Sequence, residues 1–235
     1  MKAEEVIKDL KKLANPKKAK ILSRFFKTEP GQYGEGDVFW GITVPAQRQI
    51  VKKYLTLPLS EIKKLLHNKV HECRLTGVLI LVDQFEKTNE VNRKRLHRFY
   101  LANSVRMNNW DLVDCSARMM VGEYLVQHQA EIKLLDKLVK SKNLWQRRIA
   151  VLASWAFIRR GRFDVILDLT KKLMNDSHDL MHKAVGWMLR EVGKKDQKVL
   201  EKFLDEYATK LPRTALRYAI ERLSPDQRFY YIKIK

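Results

Sequence analysis

One short segment of the sequence combines an indole ring with carboxylates in a chain that is otherwise strongly basic. In NNWDLVD, residues 108–114, Trp110 and Asp114 lie four positions apart, so they share a face if the segment is helical. A carboxylate opposes the binding of a polyanion, but it stabilises positive charge that develops on a bound ligand. Indole faces also attract cations. The pair therefore indicates a site for a cationic centre that is carried on a polyanion.

The same segment also has a purely structural interpretation. Asp111 belongs to a residue type that is favoured at the N-cap of a helix. Asp114, three positions later, then corresponds to the acidic residue of a capping box. This interpretation gives both carboxylates a role but leaves Trp110 unexplained. The segment alone leaves the two interpretations open.

Trp187 is the second candidate aromatic residue. It lies four residues after Lys183 and three before Arg190, so on a helix it shares a face with two cations. Such a face is unusual for a core residue. Trp145 and Trp155 have large apolar neighbours instead, and we expect both of them to pack in the core.

The composition predicts a polyanionic partner. The 235 residues include 47 Lys and Arg against 27 Asp and Glu, a formal net charge of +20. Such a surplus attracts polyanions, and nucleic acid is the usual one, with an acidic protein as the alternative. No apolar run approaches the roughly 20 residues of a membrane span. The N-terminus also lacks the apolar segment of a signal peptide.

Cofactor and metal motifs are not found in the sequence. Cys73 and Cys115 lie in apolar helical contexts, so we expect two core thiols in a reducing cytoplasm rather than a disulfide or a zinc site. The glycine-rich stretch 30–41 lacks the Gly-Lys-Ser/Thr ending of a phosphate-binding loop. We interpret that stretch as a connector between helices.

Helices must position the candidate residues, because nearly every segment has apolar residues at helical spacing. Segments that start at Trp145, Met181 and Pro212 recur at roughly 35-residue intervals, the length of a HEAT-type helical pair. We therefore predict an all-α fold, an α-solenoid of HEAT-like repeats that forms a single domain over residues 1–235. Its predicted concave groove is basic and is lined by Arg147, Arg148, Lys183, Arg190, Arg213 and Arg217. Taken singly, each of these cations could instead be a solvated helix charge.

Four segments together resemble the AlkD-type DNA glycosylases, which are HEAT-like proteins that excise positively charged N3- and N7-alkylated purines. The segments are FWGITVPAQRQIVK (39–52), NNWDLVD (108–114), NLWQRRIAV (143–151) and KAVGWMLRE (183–191). The resemblance extends over nearly the whole chain. It implies that the partner is double-stranded DNA with alkylated bases and that the protein works in the cytoplasm, at the nucleoid while bound to DNA.

The resemblance also implies roles for individual residues. Asp114 corresponds to the catalytic carboxylate, and Trp110 and Trp187 correspond to the two tryptophans that contact the sugar. The DNA backbone contacts are expected from Arg148, Arg190, Arg48 and Lys183. Some members of the family have lost the three catalytic positions, and this chain keeps all of them.

Two positions depart from the family's motifs. Phe25 stands where the family has an aromatic residue with a hydroxyl group, and Thr43 stands where it has a glutamine that contacts DNA. The implied reaction is hydrolysis of the N-glycosidic bond while the base stays near the stack, by a monomer without metal or cofactor. One alternative is a HEAT-repeat DNA-binding protein without catalysis, which has no use for Asp114. Another is a scaffold that binds an acidic protein.

Overall fold

Helices account for the regular structure of residues 1–234 in the computed structural model, apart from an isolated bridge between Val38 and Val70. The prediction of an all-α fold is therefore confirmed. The chain divides into two units, an N-terminal unit over Met1–Ser116 and a C-terminal unit from Ala117 onward. The single domain over 1–235 and the concave basic groove stay predictions.

The N-terminal unit is built around one buried helix. Its helices are α1 (Ala3–Lys11), α2 (Pro16–Phe25), α3 (Val44–Lys53), α4 (Leu59–Leu66), α5 (His71–Glu86), α6 (Glu90–Ala102) and α7 (Trp110–Asp114). Nearly all of α5 is buried, and α1, α3, α4, α6 and α7 pack against it. A helix that is buried along most of its length needs such cover from several directions. Helix α5 is therefore the central element against which the other helices of this unit are placed.

The glycine-rich connector between α2 and α3 is fixed to α5. The buried carboxylate of Glu72 accepts hydrogen bonds of 2.7–3.1 Å from the backbone N–H groups of Trp40, Gly41 and Ile42. Gly41 has a φ of +80°, and a Cβ there would lie 2.2 Å from the carbonyl oxygen of Asn15. Only glycine fits this position. The interpretation of 30–41 as a connector is confirmed.

The C-terminal unit consists of helices in two layers. A π-helix (Arg118–Glu123) leads into α8 (Tyr124–Gln127), followed by α9 (Lys133–Val139), α10 (Leu144–Ala153), α11 (Trp155–Ile158), α12 (Asp164–Lys172), α13 (Asp179–Lys195), α14 (Gln197–Tyr207), α15 (Arg213–Ala219) and α16 (Pro225–Lys233). The π-helix, α10, α11, α13 and α15 pack side by side, while α9, α12 and α14 cover them. This stacking of helical pairs is that of an α-solenoid, as predicted.

Small residues allow the first layer of the C-terminal unit to pack closely. A Cβ on Gly186 of α13 would lie 2.4 Å from the carbonyl oxygen of Ala215 in α15. Gly186 therefore allows the close approach of α13 and α15. In residues 1–234, no helix has the length and the apolar character that crossing a bilayer requires.

Candidate functional site

Helix α7 carries Trp110 at its first position and Asp114 at its last, and both side chains are half-buried. The helix is capped by Asn109, whose side-chain oxygen accepts the backbone N–H of Trp110 at 2.8 Å. Asp111 is therefore inside the helix, and its interpretation as the N-cap is wrong. Asn109 takes that role because its buried amide also donates to the carboxylate of Asp37 at 3.2 Å.

One face of the Trp110 indole is covered by phenylalanine rings. Trp110 stacks on Phe26 with ring centroids 5.1 Å apart and an interplanar angle of 13°. Phe26 stacks in turn on Phe39 at 5.0 Å. Phe25 meets Trp110 edge-on at 5.9 Å, although 60% of Phe25 is exposed. These ring contacts fix the orientation of the indole. The rest of the Trp110 side chain stays accessible to solvent.

A charge cluster of Asp37, His71, Arg74 and Asp111 attaches α7 to the elements that surround it. The Nε2 atom of His71 is 2.8 Å from Oδ2 of Asp111, and its Nδ1 atom is 3.1 Å from Oδ2 of Asp37. Arg74 donates from Nη2 to the other oxygen of Asp37 at 2.6 Å. The cluster therefore connects the glycine-rich connector, α5 and α7 through ionic hydrogen bonds.

The pKa values of the cluster shift in the direction that favours charge. Burial of His71 opposes its protonation, but the hydrogen bonds with Asp111 and Asp37 outweigh burial and raise the pKa of His71. Burial also opposes ionisation of Asp37. The hydrogen bond from His71 and the positive charge of Arg74 outweigh this effect and lower the pKa of Asp37. Both side chains are therefore stabilised as ions.

Both cysteines have raised pKa values. Burial raises the pKa of Cys73 to about 12, and Cys73 is a buried free thiol. Burial and the nearby charges of Asp111 and Asp114 raise the pKa of Cys115 further, although the positive charge of Arg48 opposes that shift. Cys115 is half-buried rather than fully buried.

The two positions that depart from the family's motifs line one cavity. Phe25 and Thr43 border an apolar cavity of about 280 Å³, and Asp111 contributes to the same lining. Thr43 precedes α3 as its N-cap residue and is exposed, as is Arg48 one turn further along α3. The sequence showed both departures, but it gave no indication that Phe25 and Thr43 line the same cavity.

Trp187 is half-buried on α13 in the C-terminal unit. Its Nε1 donates to Glu191 at 3.2 Å, and its ring meets Trp155 edge-to-face at 5.4 Å. Trp155 is half-buried, so its prediction as a core residue is wrong. Trp155 is the first residue of α11. The guanidinium group of Arg118 lies 5.8 Å from its ring centroid, so a charged side chain faces the ring there instead of the apolar core. The core prediction for Trp145 is confirmed, since only 7% of that residue is exposed.

The basic residues predicted to contact DNA have different surroundings in the C-terminal unit. Arg148 is only 4% exposed, and its Nη1 donates to the carbonyl oxygen of Leu180 at 2.6 Å. Its interpretation as a solvated helix charge is therefore wrong. Lys183 forms an exposed ion pair with Asp179 at 2.8 Å, and Arg190 forms an ion pair with Glu221. A phosphate group must compete with these acids for the two cations.

The structure groups the predicted site residues by unit. Trp110, Asp114 and Arg48 belong to the N-terminal unit, and Trp187, Arg148, Arg190 and Lys183 belong to the C-terminal unit. Sequence reasoning missed His71 and Asp37, which carry no recognisable motif. Over the described residues 1–234, no group of three or more His, Cys, Asp or Glu side chains could hold a metal ion.

Comparisons with known proteins identify a family and a fold. A family model described as DNA alkylation repair enzyme matches residues 6–223. Among solved structures, a protein described as a predicted DNA alkylation repair enzyme from Enterococcus faecalis matches with a TM-score of 0.71 and 20% identity. The match covers 90% of this chain and 97% of that chain. At this identity the structural likeness concerns the fold. Curated protein sequences give no match.

Proposed function

The chain belongs to the DNA alkylation repair enzyme family, and on this premise we propose that it is a DNA glycosylase for cationic alkylated purines. The proposed reaction is hydrolysis of the N-glycosidic bond of an N3- or N7-alkylated purine in duplex DNA. The observation that carries the proposal is the pair on α7, where a half-buried indole fixed on Phe26 precedes the carboxylate of Asp114 by one helical turn.

The alkylated base is already activated for departure. Alkylation at N3 or N7 places a positive charge on the purine, so the base can leave without being protonated by an acid. When the bond from C1′ to the purine nitrogen breaks, its electron pair stays with the base, which leaves as a neutral molecule. The positive charge moves to the deoxyribose as an oxocarbenium ion. A catalyst for this step needs an anion near the sugar rather than an acid.

Asp114 is proposed as that anion. Its carboxylate stabilises the oxocarbenium ion and orients the attacking water, as carboxylates do in glycoside hydrolysis. The water oxygen bonds to C1′ and its proton passes to the carboxylate or to solvent, which completes the hydrolysis. Trp110 and Trp187 each have a half-buried indole whose face can stabilise a cationic sugar, by about 1–2 kcal/mol when the contact is desolvated.

The cations are proposed as contacts to the DNA backbone. Arg48, Arg148, Arg190 and Lys183 supply affinity that does not depend on base sequence, because they neutralise phosphates and release counterions. Recognition through the backbone and the sugar leaves the base near the stack. Most glycosylases instead extrude the base into a pocket. Bulky and charged adducts are then accepted, and the protein acts as a monomer without a cofactor.

A base-release assay with Asp114→Asn tests the proposal. The substitution keeps the shape of the side chain and removes its charge. We expect excision of N7-methylguanine from duplex DNA to fall on the order of 100-fold, by analogy with the loss of one preorganised electrostatic group. DNA affinity should hold or rise, because an anion has been removed from a basic protein.

The control is Asp164→Asn on α12, a carboxylate in the covering layer of the C-terminal unit. Excision by this variant should equal that of the wild type. If the wild-type protein binds the duplex but releases no base, it is a DNA-binding protein without catalysis. If Asp114→Asn and the wild type release base equally fast, Asp114 has no catalytic role.

A further inference from the structure

We propose that His71 is a positioning residue which, as an imidazolium ion between Asp37 and Asp111, fixes α7 and thereby Trp110 and Asp114. The catalytic part of this inference rests on the proposed glycosylase function. The positioning part concerns α7 alone and can be tested without DNA.

The contacts of the His71 ring fit the imidazolium form. A neutral imidazole has one N–H group, whereas both ring nitrogens of His71 face carboxylate oxygens, at 2.8 and 3.1 Å. In the neutral tautomer with its proton on Nε2, Nδ1 faces Asp37 without a proton and could accept a hydrogen bond from Nη2 of Arg74, which is 3.4 Å away. That group already donates to Asp37 at 2.6 Å. In the other neutral tautomer, Nε2 faces Asp111 without a proton. The imidazolium satisfies both carboxylates at once.

The charges around His71 also favour its protonation. Asp37 faces it from the connector, Asp111 from α7, and Arg74 and Glu72 from α5. The Glu72 carboxylate is occupied by three backbone N–H groups. The other three groups and a protonated His71 form a balanced set of two cations and two anions. Loss of the proton would leave an uncompensated negative charge in a site where the residue is only 2% exposed, and such charges are strongly unfavourable.

Aromatic rings protect this set of contacts from water. The His71 ring stacks on Phe39 at 4.6 Å and lies 5.0 Å from Phe26, which also carries the indole of Trp110. Hydrogen bonds between charged groups are stronger in such a surrounding than in water. His71 and Trp110 therefore share one support, the ring of Phe26.

Helix α7 depends on the cluster because it is short. A helix of five residues has little stability of its own, since nucleation fixes several residues for each hydrogen bond gained. Its first turn is attached to the cluster twice, through Asp111 to His71 and through the cap residue Asn109 to Asp37. The orientation of Asp114 at the far end follows from these two attachments.

The direction of the pH dependence follows from the raised pKa of His71. A group whose pKa is raised by folding stabilises the folded form at low pH, and this stabilisation is lost as the pH rises through the folded-state value. The contribution of His71 is therefore complete below the ordinary histidine pKa of about 6.5. Helix α7 should loosen as the pH is raised through the folded-state pKa of His71.

Hydrogen–deuterium exchange of the full chain over a pH series tests this inference. The variants are His71→Gln, Asp111→Asn and the control His67→Gln, an exposed histidine of the same unit. In the wild type, protection of residues 109–116 should fall as His71 loses its proton. The intrinsic exchange rate also changes with pH, so protection is expressed relative to that of α13 as an internal reference. In His71→Gln this protection should be roughly tenfold lower on the acid side of that step and should show no step, because a hydrogen bond to a charged group is removed.

The outcomes separate this inference from the proposed function. Unchanged protection of α7 in His71→Gln, or a pH step that persists there, overturns the positioning role whether or not the protein excises bases. If His71→Gln fails to fold, Asp111→Asn removes the negative charge that attracts the imidazolium to α7, and unchanged protection in that variant has the same meaning. Lower protection with wild-type excision overturns the catalytic part. A wild type that excises nothing overturns the proposed function but leaves the exchange result standing.

Discussion

Trp110 and Trp187 are both half-buried, but their units hold them by different means. Trp110 stacks face to face on Phe26, and the helix that carries it is attached to a buried charge cluster. Trp187 meets Trp155 edge-on and donates to Glu191 of its own helix. One ion pair on that helix, between Lys183 and Asp179, is exposed.

This difference separates two ways of presenting an aromatic surface. Trp110 lies on a five-residue helix and needs support from residues 25–74, far away in sequence. Trp187 lies in the middle of a helix of 17 residues, whose own hydrogen bonds already fix its backbone. The short helix gives Asp114 and Trp110 a position at a helix end, and the buried cluster supplies the rigidity that the helix lacks.

The largest effect is expected from removing Arg74, the buried cation of the charge cluster that attaches α7. Arg74→Met leaves Asp37 without its closest cation and removes the hydrogen bonds from Arg74 to the carbonyl oxygens of Asn68 and Lys69. Breaking a buried pair in this way costs about 3–5 kcal/mol of unfolding free energy. Lys183→Met breaks the exposed pair near Trp187 and should cost about 1 kcal/mol or less.

Chemical denaturation of the two variants measures both free energies. Similar decreases would mean that the two tryptophans are supported equally, and the comparison between the units would fail. The fluorescence of the tryptophans, followed alongside circular dichroism, shows whether each variant still unfolds in a single transition, which the free energies require.

The second effect concerns the tryptophans themselves. Trp145→Ala should cost about 3–5 kcal/mol, as large-to-small changes in a core do. Trp110→Ala and Trp187→Ala should each cost less than roughly 3 kcal/mol, because part of each ring is already exposed. Of these two, Trp110→Ala should cost more, because Trp110 makes two aromatic pairs, with Phe26 and Phe25, and Trp187 makes one, with Trp155. Each such pair adds about 0.5–1.5 kcal/mol.

Thermal melts and the base-release assay should be run on all three variants. We expect reduced excision in Trp110→Ala and Trp187→Ala while both proteins remain folded. If Trp187→Ala loses as much stability as Trp145→Ala, Trp187 is a core residue and not part of the site.

The sequence predicts the helices of this protein better than the long-range contacts that hold the helices in place. Helical spacing and the repeat of roughly 35 residues were sufficient for the all-α fold and the stacking of the C-terminal unit. Trp110 and Trp187 were identified because they share helical faces with charged residues. His71 and Asp37 were not, since they are 34 residues apart and meet only after the connector folds onto α5. Trp155 was misassigned because its apolar neighbours say nothing about the break before α11.

The smallest effect compares two arginines, one from each unit, that are proposed to contact phosphates. Replacing either by methionine should flatten the dependence of log K on log salt by about 0.9 for each phosphate that is no longer neutralised. Arg48 is exposed, so Arg48→Met should change the unfolding free energy by no more than about 0.5 kcal/mol. Arg148 is buried and donates to Leu180, so Arg148→Met should also cost about 1–3 kcal/mol.

Binding titrations of unmodified duplex at several salt concentrations measure the slopes, and denaturation of the free proteins measures the costs. Arg148→Met with a lower stability and an unchanged slope would assign Arg148 to the junction of α10 and α13 alone. Its phosphate contact would then be wrong for this chain, and Arg48 would be left as the exposed cation of the comparison. A slope that flattens in both variants supports a backbone contact from each unit, reached from an exposed side chain in one and from a buried, preorganised one in the other.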